Sequence, residues 1–197
     1  MNVRVVQGSL TDGDETLLVN ASNTNVALGS GVSAASRAAC GSGYQEHIAS
    51  ALAATYGGPM EPGQVLVTDA GAHPRARWVA HAAVMDYRAG FNGSSFPSLD
   101  TIRACCTHIV DAAASLSEPV TIAWVALGAG TGQLGVREPT KIACEALTAR
   151  PSPRILGVTF YGYSLVEYAA IADVVAGFFP EVLAAIPAEV RALFQPR

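Results

Sequence analysis

The chain has 197 residues, half of them hydrophobic and 14% charged, which suits one well-packed α/β domain with a short terminal extension and excludes a disordered chain or two ordinary domains. Its 12 basic residues against 16 acidic ones exclude the electrostatic footprint of a strong duplex nucleic-acid binder, so any bound anion must be held locally. No apolar run reaches the roughly 18 residues of a membrane span, and Met1-Asn2-Val3-Arg4 leads straight into a strand instead of a signal peptide, so a cytoplasmic protein is expected.

Val3 to Gln7 reads as a first strand and Thr16 to Asn20 as a second, short and buried, with Asp12-Gly13-Asp14 as turn chemistry between them. After a glycine-rich loop, Val32 to Ala39 and Tyr44 to Thr55 read as helices, being rich in alanine and free of proline, and Tyr56-Gly57-Gly58-Pro59 stops the run. Gly63 to Thr68 and Trp78 to Val84 are strands, and Asp86 to Pro97 is a polar loop. Ser98 opens the next helix, which sets Leu99, Ile102, Cys106, Ile109 and Val110 on one face.

Val120 to Leu127 is almost wholly apolar, as expected of a central strand covered on both faces. A helix from Arg137 to Ala149, a strand from Ile155 to Tyr161 and a helix from Leu165 to Val175 continue the alternation of a layered α/β domain. Phe178 to Arg197 is expected as one more helix, with Pro187 at or near an N1 position. Cys40, Cys105, Cys106 and Cys144 form no C-x-x-C pair and read as reduced, buried thiols, so neither a metal nor a disulfide framework is called for.

Two glycine loops leave strand ends. Asn20-Ala21-Ser22-Asn23-Thr24-Asn25-Val26-Ala27-Leu28-Gly29-Ser30-Gly31-Val32 leaves a buried strand and enters a helix at its glycines. Glycines let backbone approach a ligand, and the first amides of a helix are unpaired at the positive end of its dipole, so this is the geometry of an anion site. Gly128-Ala129-Gly130-Thr131-Gly132 is a second such loop beyond the most apolar strand, and ligands of open α/β sheets bind beyond the carboxyl ends of strands. Neither loop contains Lys or Arg, so the anion would be held by backbone dipoles.

Other readings of these glycines fail on context. Gly29-Ser30-Gly31-Val32-Ser33-Ala34 satisfies the dinucleotide pattern, but Ala21 to Leu28 separate it from its strand, and His47 to Thr55 holds no acid for a ribose. No Gly-Lys-[Ser/Thr] occurs for a P-loop, and neither Ser30 nor Ser42 sits in a G-x-S-x-G elbow. His81 lies mid-strand and reads as a hydrogen-bonded core histidine. His73, in Gly71-Ala72-His73-Pro74, is expected in a turn and exposed.

The order V-Q-G-S-L-T, L-V-N-A-S-N-x5-G-S-G-V, G-Q-V-L-V-T-D-A-G, W-V-A-H-A-A-V, A-L-G-A-G-T-G and V-T-F-Y-G-Y resembles the macrodomain family over residues 1 to about 175. The resemblance implies an α/β fold, a mixed sheet of six or seven strands between helices, with residues 1–177 as the domain and 178–197 as a helical extension. It also implies that ADP-ribose, free or on a macromolecule, lies across the crest of the sheet, with no further cofactor. On that resemblance Asn23 matches the asparagine that meets the distal ribose hydroxyls. Gly29, Ser30, Gly31 and Val32 match the first phosphate loop, and Gly128, Ala129, Gly130, Thr131 and Gly132 the second. Ser9 and Leu10 fall at the adenine end, and Tyr163 where an aromatic wall stands against adenine. Asn20 and Asn25 read as loop builders.

The departures bear on activity. Ser9 stands where family members commonly carry an adenine-binding Asp, Ser33 where the hydrolytic branch has Asp, Leu28 where the viral branch has His, and Gly132 where many set an aromatic residue. An ADP-ribose-binding module is therefore the first expectation. An ADP-ribosyl hydrolase or O-acetyl-ADP-ribose deacetylase is the second, with Asn23 and the ligand's own phosphate as the remaining groups to position water. An NAD-linked oxidoreductase is a third.

Overall fold

The computed structural model describes residues 1–195. The strands are β1 (Asn2–Gln7), β2 (Leu17–Asn23), β3 (Val65–Asp69), β4 (Trp78–Met85), β5 (Val120–Val125) and β6 (Ile155–Gly162). The helices are α1 (Gly31–Cys40), α2 (Tyr44–Tyr56), α3 (Leu99–Ser115), α4 (Arg137–Ala149), α5 (Leu165–Phe178) and α6 (Ala188–Arg191), with 3-10 turns at Leu10–Asp12 and Pro180–Ala185. The strands form one six-stranded sheet in the order β1-β6-β5-β2-β4-β3. All pairs are parallel except β3 with β4.

Alternation along β2 divides the core. Leu17 and Val19 face α3, α4 and α5, where they join Ile102, Ile109, Trp124, Ile142 and Phe160. Leu18 faces the opposite way, toward Tyr44, Ile48 and Leu52 of α2. The result is a three-layer α/β/α domain with helices on both faces.

The connections locate a crevice. From β2 the chain leaves by α1 and α2 on one face, whereas from β5 it leaves by α4 on the other, so the topological switch falls between the carboxyl ends of β2 and β5. The ladder between these two strands stops at Leu17–Ile122 and Leu18–Ala123. Beyond it β2 pairs only with β4, which opens the sheet crest between Ala21 and Val125.

Three expectations are corrected. β2 does not end at Asn20 but continues to Asn23, because Asn20, Ala21 and Ser22 pair in register with His81, Ala82 and Ala83. Asn20 is thus a buried strand residue and not a loop builder. The single C-terminal helix is broken twice: α5 stops at Phe178 because Pro180 forces Phe179 out of helical geometry (φ −131, ψ 78), and a 3-10 turn at Pro180–Ala185 precedes α6, which Pro187 caps, next to the N1 position expected for it. Residues 196 and 197 of that expected helix lie outside the described residues. This tail is integral to the core, since Val182, Ile186 and Val190 are buried with α5 and β1. Finally, His73 is buried at 7% exposure, its Nε2 bonding the Thr11 carbonyl and its Nδ1 accepting from the amides of Arg75 and Ala76.

All four cysteines are buried free thiols, and burial pushes those of Cys40 up to about 11 and of Cys105 and Cys144 to about 12. No helix among the described residues is long and apolar enough to cross a membrane.

Candidate functional site

A cavity of about 570 Å³ follows the crest of the sheet, a volume in the range of small-molecule sites. It runs from Asn23, Met85 and Tyr87 at the β4 side, between the two glycine loops, to Leu10, Tyr161 and Tyr163 at the β6 and β1 side. Ser9, Leu10, Asn23, Gly29, Ser30, Gly31, Val32, Gly128, Ala129, Gly130, Thr131, Gly132 and Tyr163 all line it, so the structure brings every expected site residue to one surface.

The first loop presents bare amides. Ser30 takes the N-cap position of α1 in extended conformation (φ −151, ψ 166), yet its side chain makes no cap bond. Among the described residues, the amides of Gly29, Ser30, Gly31, Val32 and Ser33 find no acceptor, and neither do those of Gly130, Thr131 and Gly132. Orphan donors at a helix start are satisfied by water or a ligand, and the helix dipole makes an anion the favoured partner. A Cβ at Gly29, Gly31 or Gly130 would meet nothing within 4 Å, so the missing side chains leave room toward the cavity. Gly31 also needs its hydrogen side chain for backbone reasons, at φ +54.

The loop is held from behind by groups of two elements. Asn23 Oδ1 accepts from the amides of Asn25 and Ala27, and its Nδ2 donates to the Ala27 carbonyl at 2.9 Å. The side chain therefore builds the loop and keeps one N–H for anything in the cavity. Gln45 of α2 grips the same loop twice, accepting from Leu28 N at 2.8 Å and donating to the Val26 carbonyl at 3.0 Å. That grip fixes Val26 in left-handed geometry at φ 50, rare for a β-branched residue. The second loop closes on itself: Leu134 N donates to Gly128 O and Gln133 N to Gly130 O. A Cβ on Gly132 would stand 2.5 Å from Gly128 O, so this position has no room for the aromatic residue the family often carries.

A buried polar chain supports α1 from the sheet. Ser33 Oγ donates to Asn20 Oδ1 at 3.0 Å and lies 3.1 Å from the Ala21 carbonyl. Asn20 Nδ2 meets His81 Nδ1 at 3.1 Å, and His81 Nε2 lies 3.3 Å from both Tyr44 OH and Thr68 Oγ1. With Asn20 donating, the imidazole carries its proton on Nε2 and donates this N–H to a hydroxyl, which in turn donates to the Asp69 carbonyl. Burial, with help from nearby His47, lowers the His81 pKa to about 3 and keeps the ring neutral. Sequence reading identified a core histidine but not that it positions the first turn of the cavity's helix.

At the far end, Ser9 is a cap for the turn at Leu10–Asp12, with Oγ 2.8 Å from Thr11 Oγ1. Glu15 is buried and fully engaged, accepting from Arg4 and Tyr161 at 2.8 Å each and from Thr159 at 2.5 Å. It braces Tyr161 from beneath the cavity. Tyr163 is 80% exposed at the rim, free to fold over a ring bound there. Gln45, Tyr87 and Glu167 are site residues that sequence reading missed. Only the tertiary fold brings Gln45 to the first glycine loop, and Tyr87 and Glu167 to the cavity.

The open crest, the switch point and the paired amide loops define an α/β module whose strand ends present unpaired backbone donors to one cavity. The chain belongs to the macro domain family, whose model matches residues 19–143. The fold resembles the Trypanosoma brucei macrodomain solved in complex with ADP (TM-score 0.71, 21% identity, over 88% of this chain and 69% of that one). It also resembles a variant of the Oceanobacillus iheyensis macrodomain solved with ADPR (TM-score 0.73, 17% identity, over 89% and 92%). No curated protein matches the chain.

Proposed function

We propose that the crest cavity binds ADP-ribose, free or as the terminal group on a macromolecule. The observation that carries the reading is the pair of unpaired amide sets facing one cavity that no cationic side chain lines. A diphosphate placed between the loops takes up those donors and sits at the dipole end of α1. Its two arms then point along the crest, the distal ribose toward Asn23 and Tyr87, the base toward Leu10, Tyr161 and Tyr163. The ligands named for the similar Trypanosoma brucei and Oceanobacillus iheyensis structures, ADP and ADPR, support this choice.

The reading is of a binder without efficient turnover. Hydrolysis needs a group that activates water beside the distal ribose, and proton transfer of that kind contributes about 10²- to 10⁴-fold. Ser33 directs its hydrogen inward to Asn20 and Ala21, and a neutral hydroxyl is a poor base. Asn23 retains a single N–H, a donor and not a base.

Calorimetry with ADP-ribose, NAD and AMP tests the proposal. ADP-ribose is expected to bind at micromolar to submillimolar Kd and AMP more weakly, since AMP lacks the second phosphate and distal ribose. Gly130→Glu should abolish binding and leave the fold intact, because its Cβ has open space and its backbone is not left-handed. Wild-type protein that gives no heat with millimolar ADP-ribose contradicts the proposal.

A further inference from the structure

Glu167 is the one charged side chain among the residues lining the cavity, and it stands at the end away from Asn23, beside Tyr161, Tyr163 and Leu10. It occupies the third position of α5 in a capping box with Ser164. Only half of its carboxylate is used there: Oε2 accepts from Tyr163 N and Ser164 N, each at 3.0 Å, while Oε1 accepts nothing from the described residues. Of the hydroxyls at this end, that of Ser9 is committed to Thr11 through its cap and that of Tyr161 donates to Glu15.

A carboxylate at the mouth of a site for a diphosphate works against the anion, unless it meets a donor on the ligand. An apolar and aromatic wall with one acceptor oxygen and no side-chain cation is matched by a flat heteroaromatic base that carries an exocyclic amino group. Resting on the proposed function, we infer that Glu167 is the specificity-determining residue of the base end: Oε1 accepts from the base amino group, so the cavity selects amino bases over oxo bases. Anchoring by the cap gives the carboxylate a fixed orientation, which makes it a selective acceptor. A purine with an oxygen at the same position would set acceptor against acceptor at Oε1.

The test is the ratio of affinities for ADP-ribose and its hypoxanthine counterpart, inosine diphosphate ribose, measured by calorimetry on wild type, Glu167→Gln and Ser9→Ala. The wild type should prefer ADP-ribose by about tenfold or more, the scale of one well-placed base-edge contact. Glu167→Gln keeps an amide oxygen for the cap and turns an N–H₂ toward the base, so the preference should fall to about parity or invert. Thermal melts of the variants check that the cap survives. Ser9→Ala should leave the ratio unchanged. An unchanged ratio in Glu167→Gln, with ADP-ribose still bound, overturns the inference and leaves the functional reading standing. Loss of discrimination in Ser9→Ala instead assigns selection to the hydroxyl and also overturns it. A wild type that binds neither ligand overturns the functional reading, and this inference with it.

Discussion

His81 makes the stability of this protein depend on pH in a defined window. The ring is wholly buried, and its folded-state pKa of about 3 lies below the ordinary 6.5 because burial penalises the imidazolium. Between those values the unfolded chain binds a proton that the folded chain refuses, so acidification favours unfolding. The contribution is fully present above about pH 6.5 and is lost at about 1.4 kcal/mol per pH unit as the pH falls toward 3. At pH 4.5 that amounts to about 2–3 kcal/mol, a fall of about 5–10 °C in Tm for a chain of this size. Other groups titrate too, so the diagnostic quantity is the difference in slope between wild type and His81→Gln, which can still receive Asn20 but does not titrate. Urea denaturation at half-unit steps from pH 7 to 4 should show a steeper loss in the wild type. Parallel curves would refute the claim that a neutral buried imidazole underlies the first turn of α1.

Other substitutions follow from close contacts. Gly13→Ala places a Cβ 2.1 Å from both Glu15 Oε2 and Tyr161 OH, so it should break the carboxylate network and destabilise by about 2 kcal/mol or more, read as a drop in Tm. Ser33→Asp, the change that would restore the residue of the hydrolytic branch, sets a carboxylate against Asn20 Oδ1 and the Ala21 carbonyl. We expect lower stability and no rapid release of ADP-ribose from a modified protein, and fast turnover by wild type that is lost in Asn23→Ala would show a hydrolase instead. Binding should weaken only modestly between low and physiological salt, because fixed dipoles release few counterions, whereas a steep loss would point to arginines such as Arg75 and Arg77.

What could be read from sequence was whatever local chemistry decides. Both glycine loops, the helix at Ser98 and the apolar strand before Gly128 follow from turn residues, caps and hydrophobic runs, and the structure places them as expected. The missed features are decided across the sheet. Asn20 looked like a loop residue because polar side chains usually end strands, but His81 and Ser33 give it partners inside the core. His73 looked exposed because it precedes a proline in a turn, yet Thr11 from a distant turn closes over it. Gln45 and Glu167 carry no signal of their own, since a glutamine in a helix and a capping-box glutamate are ordinary. Their importance comes from the loop that Gln45 grips and from the cavity that Glu167 lines.

Whether backbone amides hold the ligand is read from an amide-resolved NMR titration with ADP-ribose. The largest shift changes are expected at the amides of Gly29 to Ser33 and Gly130 to Gly132, saturating together with the calorimetric isotherm. Changes confined to other surfaces, with those amides unmoved at saturation, would contradict binding by the backbone.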